Sequence, residues 1–240
     1  MKITYIYHSC FALEFNEFNV IIDYYEDTSK SQENGYIHSY LLRQPQKLYV
    51  LSSHSHADHF NPEVLSWKLQ KSNIQYIFSK DILDAGLANK EDALYLDKLD
   101  SYKDDCLNIK AYGSTDIGIS FLIQTSEKEI FHAGDLNNWH WNEECSLEES
   151  QEYENNYLKE LELLAKDSAH LDIAFFPIDP RLGKDYMKGA EQFINRIPTD
   201  ILAPMHFDNA YHKIAAFAPY AETKKSKVMK WTSKGESFVL

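Results

Sequence analysis

Basic residues are in short supply in this chain. Lys and Arg total 24 against 37 Asp and Glu, a formal charge of −13 at pH 7, and such a surface repels phosphate backbones. No nucleic-acid partner is therefore expected. Cysteine is scarce too: Cys10, Cys106 and Cys145 are odd in number, widely spaced and contain no CxxC pair. That pattern argues against a disulfide framework and a thiolate zinc ribbon, and it fits a reducing cytoplasm. No stretch approaches the roughly 18 consecutive apolar residues of a membrane span. The opening run from Met1 to Phe15 alternates at once, without a basic leader followed by an apolar core and a small-residue cleavage site. Membrane insertion and secretion are both disfavoured. With 8 glycines and 7 prolines in 240 residues there is no Gly/Ser-rich or Pro-rich linker, and no short internal repeat is visible. A single domain over residues 1–240 is expected, large enough to bury a substantial core. The 44% hydrophobic and 25% charged content is that of a folded protein, not a disordered chain.

Short segments rich in β-branched and aromatic residues predict strands at Ile3–Tyr7, Phe11–Phe15, Val20–Asp23, Leu48–Ser52 and Gln75–Phe78. Asn61-Pro62-Glu63 offers a capping side chain and a proline at the first helical position, predicting a helix from Pro62 to about Lys71. A short helix is expected over Asp81–Leu87. Further strands are predicted at Leu107–Tyr112, Gly118–Thr125, Glu129–His132, Leu171–Phe176 and Ile201–Ala203, with helices at Tyr186–Arg196 and Ala210–Tyr220. Between Glu143 and Glu162 lie eight glutamates and one lysine. Tyr153, Tyr157, Leu161 and Leu164 recur there at helical spacing, so an acidic amphipathic helical insertion is expected around 143–168.

The segment His54-Ser-His56-Ala-Asp58-His59 carries four metal-ligand side chains in six residues, between a strand and a helix. Imidazole and carboxylate suit Zn²⁺, Mn²⁺ or Fe, and a loop aims neighbouring side chains in different directions as a regular helix does not. His54 and His56 can share one ion while Asp58 and His59 serve another.

These residues match the HxHxDH motif, and the sequence resembles the metallo-β-lactamase superfamily. The resemblance implies further ligands at Asp135, in the Gly134-Asp135 pair, and at His206, in the segment Ile201–Phe207. It implies an α+β fold, a four-layered αββα sandwich of two mixed β-sheets flanked by helices. The family's usual third histidine for the first ion has no counterpart, because Ser114 stands at that position. His54, His56 and Asp135 remain for the first ion, and Asp58, His59, Asp135 and His206 for the second. The segments His8–Phe11 and Ile21–Tyr25 are closest to the lactonase-like branch, which includes ascorbate-phosphate lactonase and phosphodiester hydrolases.

The expected function is metal-dependent hydrolysis of a small ester, lactone or phosphoester, with one or two zinc ions (manganese or iron being alternatives) and Asp58 as proton acceptor. A small molecule is the expected partner, and oligomeric state is left open. His8, His132, His140, Arg181 and Ser114 are candidates for supporting ligands or contacting substrate; Arg181 could clamp a substrate carboxylate or phosphate, or else pair with Asp179 or Asp185. Two alternatives stand beside hydrolysis. Two imidazoles and one carboxylate also suit mononuclear Fe(II), which would make an oxidoreductase. A descendant with a weakened first site could bind without catalysing.

Overall fold

A computed structural model describes residues 1–240 apart from the side chain of Gln32. It divides into two compact units, residues 1–97 with 231–240, and residues 98–230. Each unit is built on one mixed seven-stranded sheet, so the expected α+β class with two mixed sheets and helices is present.

In the first unit, β1 (Lys2–Tyr7), β2 (Cys10–Glu14) and β3 (Phe18–Ile22) form an antiparallel meander. β4 (Lys47–Ser52), β5 (Ile74–Ser79) and β6 (Leu94–Leu96) then add in parallel to β3. The C-terminal strand Ser237–Val239 closes the other edge against β1. β3 is buried along its whole length and β4 at all but its first residue, as expected of strands with both faces covered. Ile6, Ala12, Ile21, Val50 and Phe78 pack against α1 (Tyr36–Ser39), a 3-10 helix at Pro62–Leu69 and α2 (Lys80–Asp84), which supply Ile37, Trp67 and Ile82. The Asn61 side chain caps the 3-10 helix by accepting from the Glu63 N–H at 3.0 Å. The cap is where the sequence puts it, while the helix type is tighter and the end two residues earlier than expected.

In the second unit, β7 (Ser101–Lys103), β8 (Leu107–Gly113), β9 (Ile119–Thr125) and β10 (Glu129–His132) pair antiparallel. β11 (Leu171–Pro177), β12 (Thr199–Met205) and β13 (Lys227–Val228) continue the sheet in parallel. β6, β7, β13 and the C-terminal strand are two or three residues long, too short for a periodic signal.

The acidic segment forms α3 (Leu147–Asp167), started by a capping box in which Ser146 and Glu149 satisfy each other's backbone N–H groups. Tyr157, Leu161 and Leu164 are buried as expected, whereas Tyr153 is exposed. The Tyr157 hydroxyl donates to the Gly189 carbonyl at 2.8 Å, tying α3 to α4 (Lys188–Arg196). Phe193 of α4 stacks on Phe131 of β10 and packs at a tilt against Phe176 of β11. The expected helix after Ala210 is two short ones, α5 (Tyr211–Ala215) and α6 (Ala218–Thr223), because Pro219 lacks the N–H that a continuous helix needs. Leu161→Ala should cost about 2–5 kcal/mol. Leu158→Ala, on the solvated side, should stay within about 0.5 kcal/mol. Urea unfolding midpoints measure both.

Among the described residues, no helix is long and apolar enough to cross a membrane, and all three cysteines are free.

Candidate metal centre

Strand direction gathers the polar residues. In the first sheet β1, β3 and β4 run the same way, and their C-terminal ends deliver His8, Asp23 and the loop that starts at Ser53. In the second, β8, β10, β11 and β12 share one direction, and beyond their ends lie Ser114, Asp135, Asp179 and His206. Binding groups at the carboxyl ends of strands are a general feature of sheets with parallel connections. Several of these chain turns are sharp. His8, Asp23 and His206 have φ of 55°, 52° and 60°, and Gly134 has 52°. For the three non-glycine residues the left-handed backbone costs about 1–3 kcal/mol each, strain of the kind that concentrates at functional sites.

Within the first unit Asp23 is the hub. It is fully buried and accepts from the Ser53 N–H, the Ser53 hydroxyl and His59 Nδ1, each at 2.7 Å. With its proton committed to Asp23, Ser53 Oγ is an acceptor for His54 Nδ1 at 3.0 Å. This network assigns the Nδ1–H tautomer to both His54 and His59 and leaves each Nε2 as a lone-pair donor. His54 Nε2 lies 3.1 Å from Nδ1 of the exposed His56. The Ser55 N–H between them is held by Asp81 Oδ2 at 2.8 Å. His8 Nε2 contacts Asp58 Oδ2 at 3.2 Å, and that contact from His8 holds the Asp58 carboxyl well below the usual carboxylate range. Ligand-type atoms of His8, Asp58 and His59 lie within 4.8 Å of one another.

The second unit repeats the arrangement. His206 Nδ1 meets Asp179 Oδ2 at 2.9 Å, and Nε2 lies 3.4 Å from Asp135 Oδ1. Burial opposes ionisation of Asp179, but hydrogen bonds from His206 and Arg181 bring its carboxyl down to about 2. Trp139 Nε1 donates to the Asp135 carbonyl at 2.8 Å, and the ring packs edge-on to His206. Trp139 is buried and stacks on Trp141.

The remaining candidates are spread more widely. His132 is fully buried on β10, accepts the Gly134 N–H at 3.2 Å and packs on Phe175. His140 is also buried; Nε2 meets the Asp185 carbonyl at 3.1 Å and Nδ1 accepts the Asn142 N–H at 3.2 Å. Burial pushes its imidazole below its ordinary value, and the ring staples two loops together. Arg181 pairs with Asp179. Ser114 accepts the Asp116 N–H at 3.2 Å.

Sequence reasoning missed Asp23, Ser53 and Asp81 altogether and saw Asp179 only as a partner for Arg181. The available signal was position: Asp23 and Asp179 follow the last residues of two strongly apolar strands, where an ionised carboxylate needs a specific partner.

The donors fit a divalent ion on their chemistry. An imidazole whose Nδ1–H is held by a buried carboxylate or hydroxyl is the arrangement that orients a metal-ligating histidine and raises its basicity, and it occurs at His54, His59 and His206.

Known proteins share this fold. The whole chain overlays on Igni18, a metallo hydrolase from the archaeon Ignicoccus hospitalis, with a TM-score of 0.67 and 18% identity over 98% of that protein. It matches CmlA, a diiron β-hydroxylase from Streptomyces venezuelae, with a TM-score of 0.67 and 13% identity, spanning 54% of CmlA. An isothiocyanate hydrolase from Delia radicum gut bacteria aligns at a TM-score of 0.59 and 14% identity, with 100% of this chain and 99% of that one covered. At such identities the overlays establish the fold. The profile of the Beta-lactamase superfamily domain matches residues 2–150, more than half of the sequence, and the chain belongs to that superfamily.

Proposed function

We propose that this protein is a metal-dependent hydrolase that activates water at a mono- or dinuclear zinc or manganese site to cleave a small ester, lactone or phosphoester. The observation that carries this reading is the pair of histidines, His59 and His206, whose Nδ1 atoms face the buried carboxylates Asp23 and Asp179, the arrangement that orients an imidazole to ligate an ion through Nε2. His54, His56 and Asp135 are assigned to one ion, and Asp58, His59, Asp135 and His206 to the other. A bound dication brings the pKa of its water toward neutrality and polarises the scissile carbonyl or phosphoryl oxygen. Asp58 accepts the proton of the attacking water, and His8 fixes the orientation of that carboxylate. The segments His8–Phe11 and Ile21–Tyr25 support a place nearest the lactonase-like branch, and we assign the enzyme to the cytoplasm, where the free thiols of Cys10, Cys106 and Cys145 are at home, with a small molecule as its substrate.

Ser114 favours one second reading. Without a third imidazole, the first ion has two histidines and one carboxylate, the donor set of mononuclear iron oxygenases. Elemental analysis of protein purified without chelator separates the two. One to two zinc or manganese ions per chain are expected, whereas stoichiometric iron with oxygen consumption would replace hydrolysis by oxidation, and no stoichiometric metal would sink both. Asp58→Asn should lower turnover about 10²- to 10⁴-fold. His59→Ala should in addition remove one ion from the elemental count.

A further inference from the structure

Arg181 lies in the turn after β11, beside His206. Its Nε donates to both oxygens of Asp179, at 3.1 and 2.9 Å, and its Nη2 donates to Oδ2 at 2.5 Å. The Asp179 carboxylate also accepts the Arg181 backbone N–H at 2.9 Å. Asp179 is buried, while 60% of the Arg181 side chain is exposed. An exposed arginine ordinarily samples many rotamers, and immobilising it costs side-chain entropy. Here the fold has already fixed the guanidinium by one edge. The opposite corner, Nη1, takes no partner among the described residues.

Position relative to His206 defines what this corner can reach. Nη2 approaches His206 Nδ1 to 3.2 Å. Because that Nδ1 donates to the same Asp179 oxygen as Nε and Nη2, three donors converge there on one acceptor. His206 Nε2, the atom assigned to an ion, is on the other side of the ring, toward Asp135. The guanidinium thus sits behind a proposed metal ligand rather than in front of it. Asp179 is its counter-ion, and Asp208 and Asp135 are further acids it feels. What remains at Nη1 is a pair of fixed, directed N–H donors matched to an oxyanion.

We propose that Arg181 anchors a carboxylate or phosphate carried by the substrate at a distance from the bond that is cleaved, so that the substrate class is a small anionic ester or lactone. This rests on the hydrolase reading above and narrows it. An anchor on a non-reacting group provides binding energy that positions the reacting one.

The test compares zinc-loaded wild type, Arg181→Lys and Arg181→Gln, matched for zinc content. Three 4-nitrophenyl esters are used: the neutral butyrate, the hemi-glutarate and the ester of 4-phosphonobutyrate. Wild type should favour an anionic ester over butyrate by about tenfold or more in kcat/KM, the effect of one charged hydrogen bond. Arg181→Gln should bring that ratio to within about twofold through KM, and Arg181→Lys should fall between. The larger ratio identifies carboxylate or phosphate as the natural group. A wild type that hydrolyses all three esters equally well overturns the anchor and leaves the hydrolase standing. So does an Arg181→Gln variant that loses kcat on every ester alike with the ratio intact, since that is the signature of an arginine acting only on Asp179 and His206. Calorimetric titration with glutarate and with inorganic phosphate reads the anchor without turnover. Arginine-dependent binding with no ester hydrolysed supports the anchor and removes the hydrolase reading, and no arginine-dependent binding of either anion overturns the anchor.

Discussion

Asp23→Ala should be the most damaging single substitution at the candidate centre, destabilising the protein by roughly 3–5 kcal/mol and weakening metal binding about 10- to 100-fold. The carboxylate is inaccessible and accepts three hydrogen bonds, from the Ser53 N–H, the Ser53 hydroxyl and His59 Nδ1. Alanine would leave all three donors buried without an acceptor, and each such group costs about 1–3 kcal/mol. The His59 ring would also lose the partner that assigns its tautomer, and His54 would lose the orientation of the Ser53 hydroxyl. Asp23→Asn tests the cause. Its amide oxygen can still accept from Ser53, but without the negative charge that favours His59 Nδ1–H, so stability should recover more than metal affinity does. Urea unfolding and competition with a chromophoric zinc chelator measure the two effects separately. Equal recovery of both would show that the charge of Asp23 does not act on the ligand.

The second large effect lies away from the centre, where His38 bridges two carboxylates. Nδ1 meets Asp27 Oδ2 at 2.7 Å and Nε2 meets Glu63 Oε1 at 2.6 Å. Asp27 also accepts the backbone N–H groups of Thr28, Ile37 and His38, so this cluster fastens the loop before β4 to the 3-10 helix after the histidine motif. The hydrogen bond to Asp27 raises the His38 pKa above 6.5, outweighing burial and helped by Glu63. Burial works against the ionised Asp27, yet the His38 and backbone hydrogen bonds lower its pKa below 3.8. The signs follow by linkage. The His38 contribution is complete below its unfolded pKa and is lost as pH rises through the raised folded value. The Asp27 contribution is complete above its unfolded pKa and is lost as pH falls through the lowered one. The cluster is therefore most stabilising between about pH 4 and 6.5. His38→Gln should cost about 2 kcal/mol at pH 6 and progressively less toward pH 9. Metal binding has its own pH dependence, but it is common to both proteins and cancels in the difference between them. A wild-type advantage that stays constant from pH 6 to 9 would show that folding does not raise the His38 pKa.

Arg181 and Ser114 mark how far residue type alone could go. Arg181 was a chemically sound candidate for an anion clamp or for an ion pair with a nearby aspartate, and the choice turned on where the Asp179 carboxylate points. Ser114 was legible as a departure from the family pattern, because it stands at a fixed place after an apolar strand. His132 and His140 were less legible. Both follow strand-like or aromatic segments, and only their partners distinguish a ring that accepts the Gly134 N–H from one that joins Asp185 to Asn142.

By itself the sequence determined the local parts of this protein. Alternating β-branched and aromatic runs specify β1 to β5 and β8 to β12, since strand periodicity is a property of a few consecutive residues. The cluster from His54 to His59 names the ligand types, since four donors in six residues are read without any knowledge of what lies opposite. Only the tertiary structure decided which acids stand behind those ligands. Asp23 is 36 residues from His59, and Asp179 is 27 from His206. They meet because β3 lies beside β4 and β11 beside β12, with their carboxyl ends level. Strand order and register are settled by the packing of whole faces against a core. A buried carboxylate finds its imidazole only once that packing is complete.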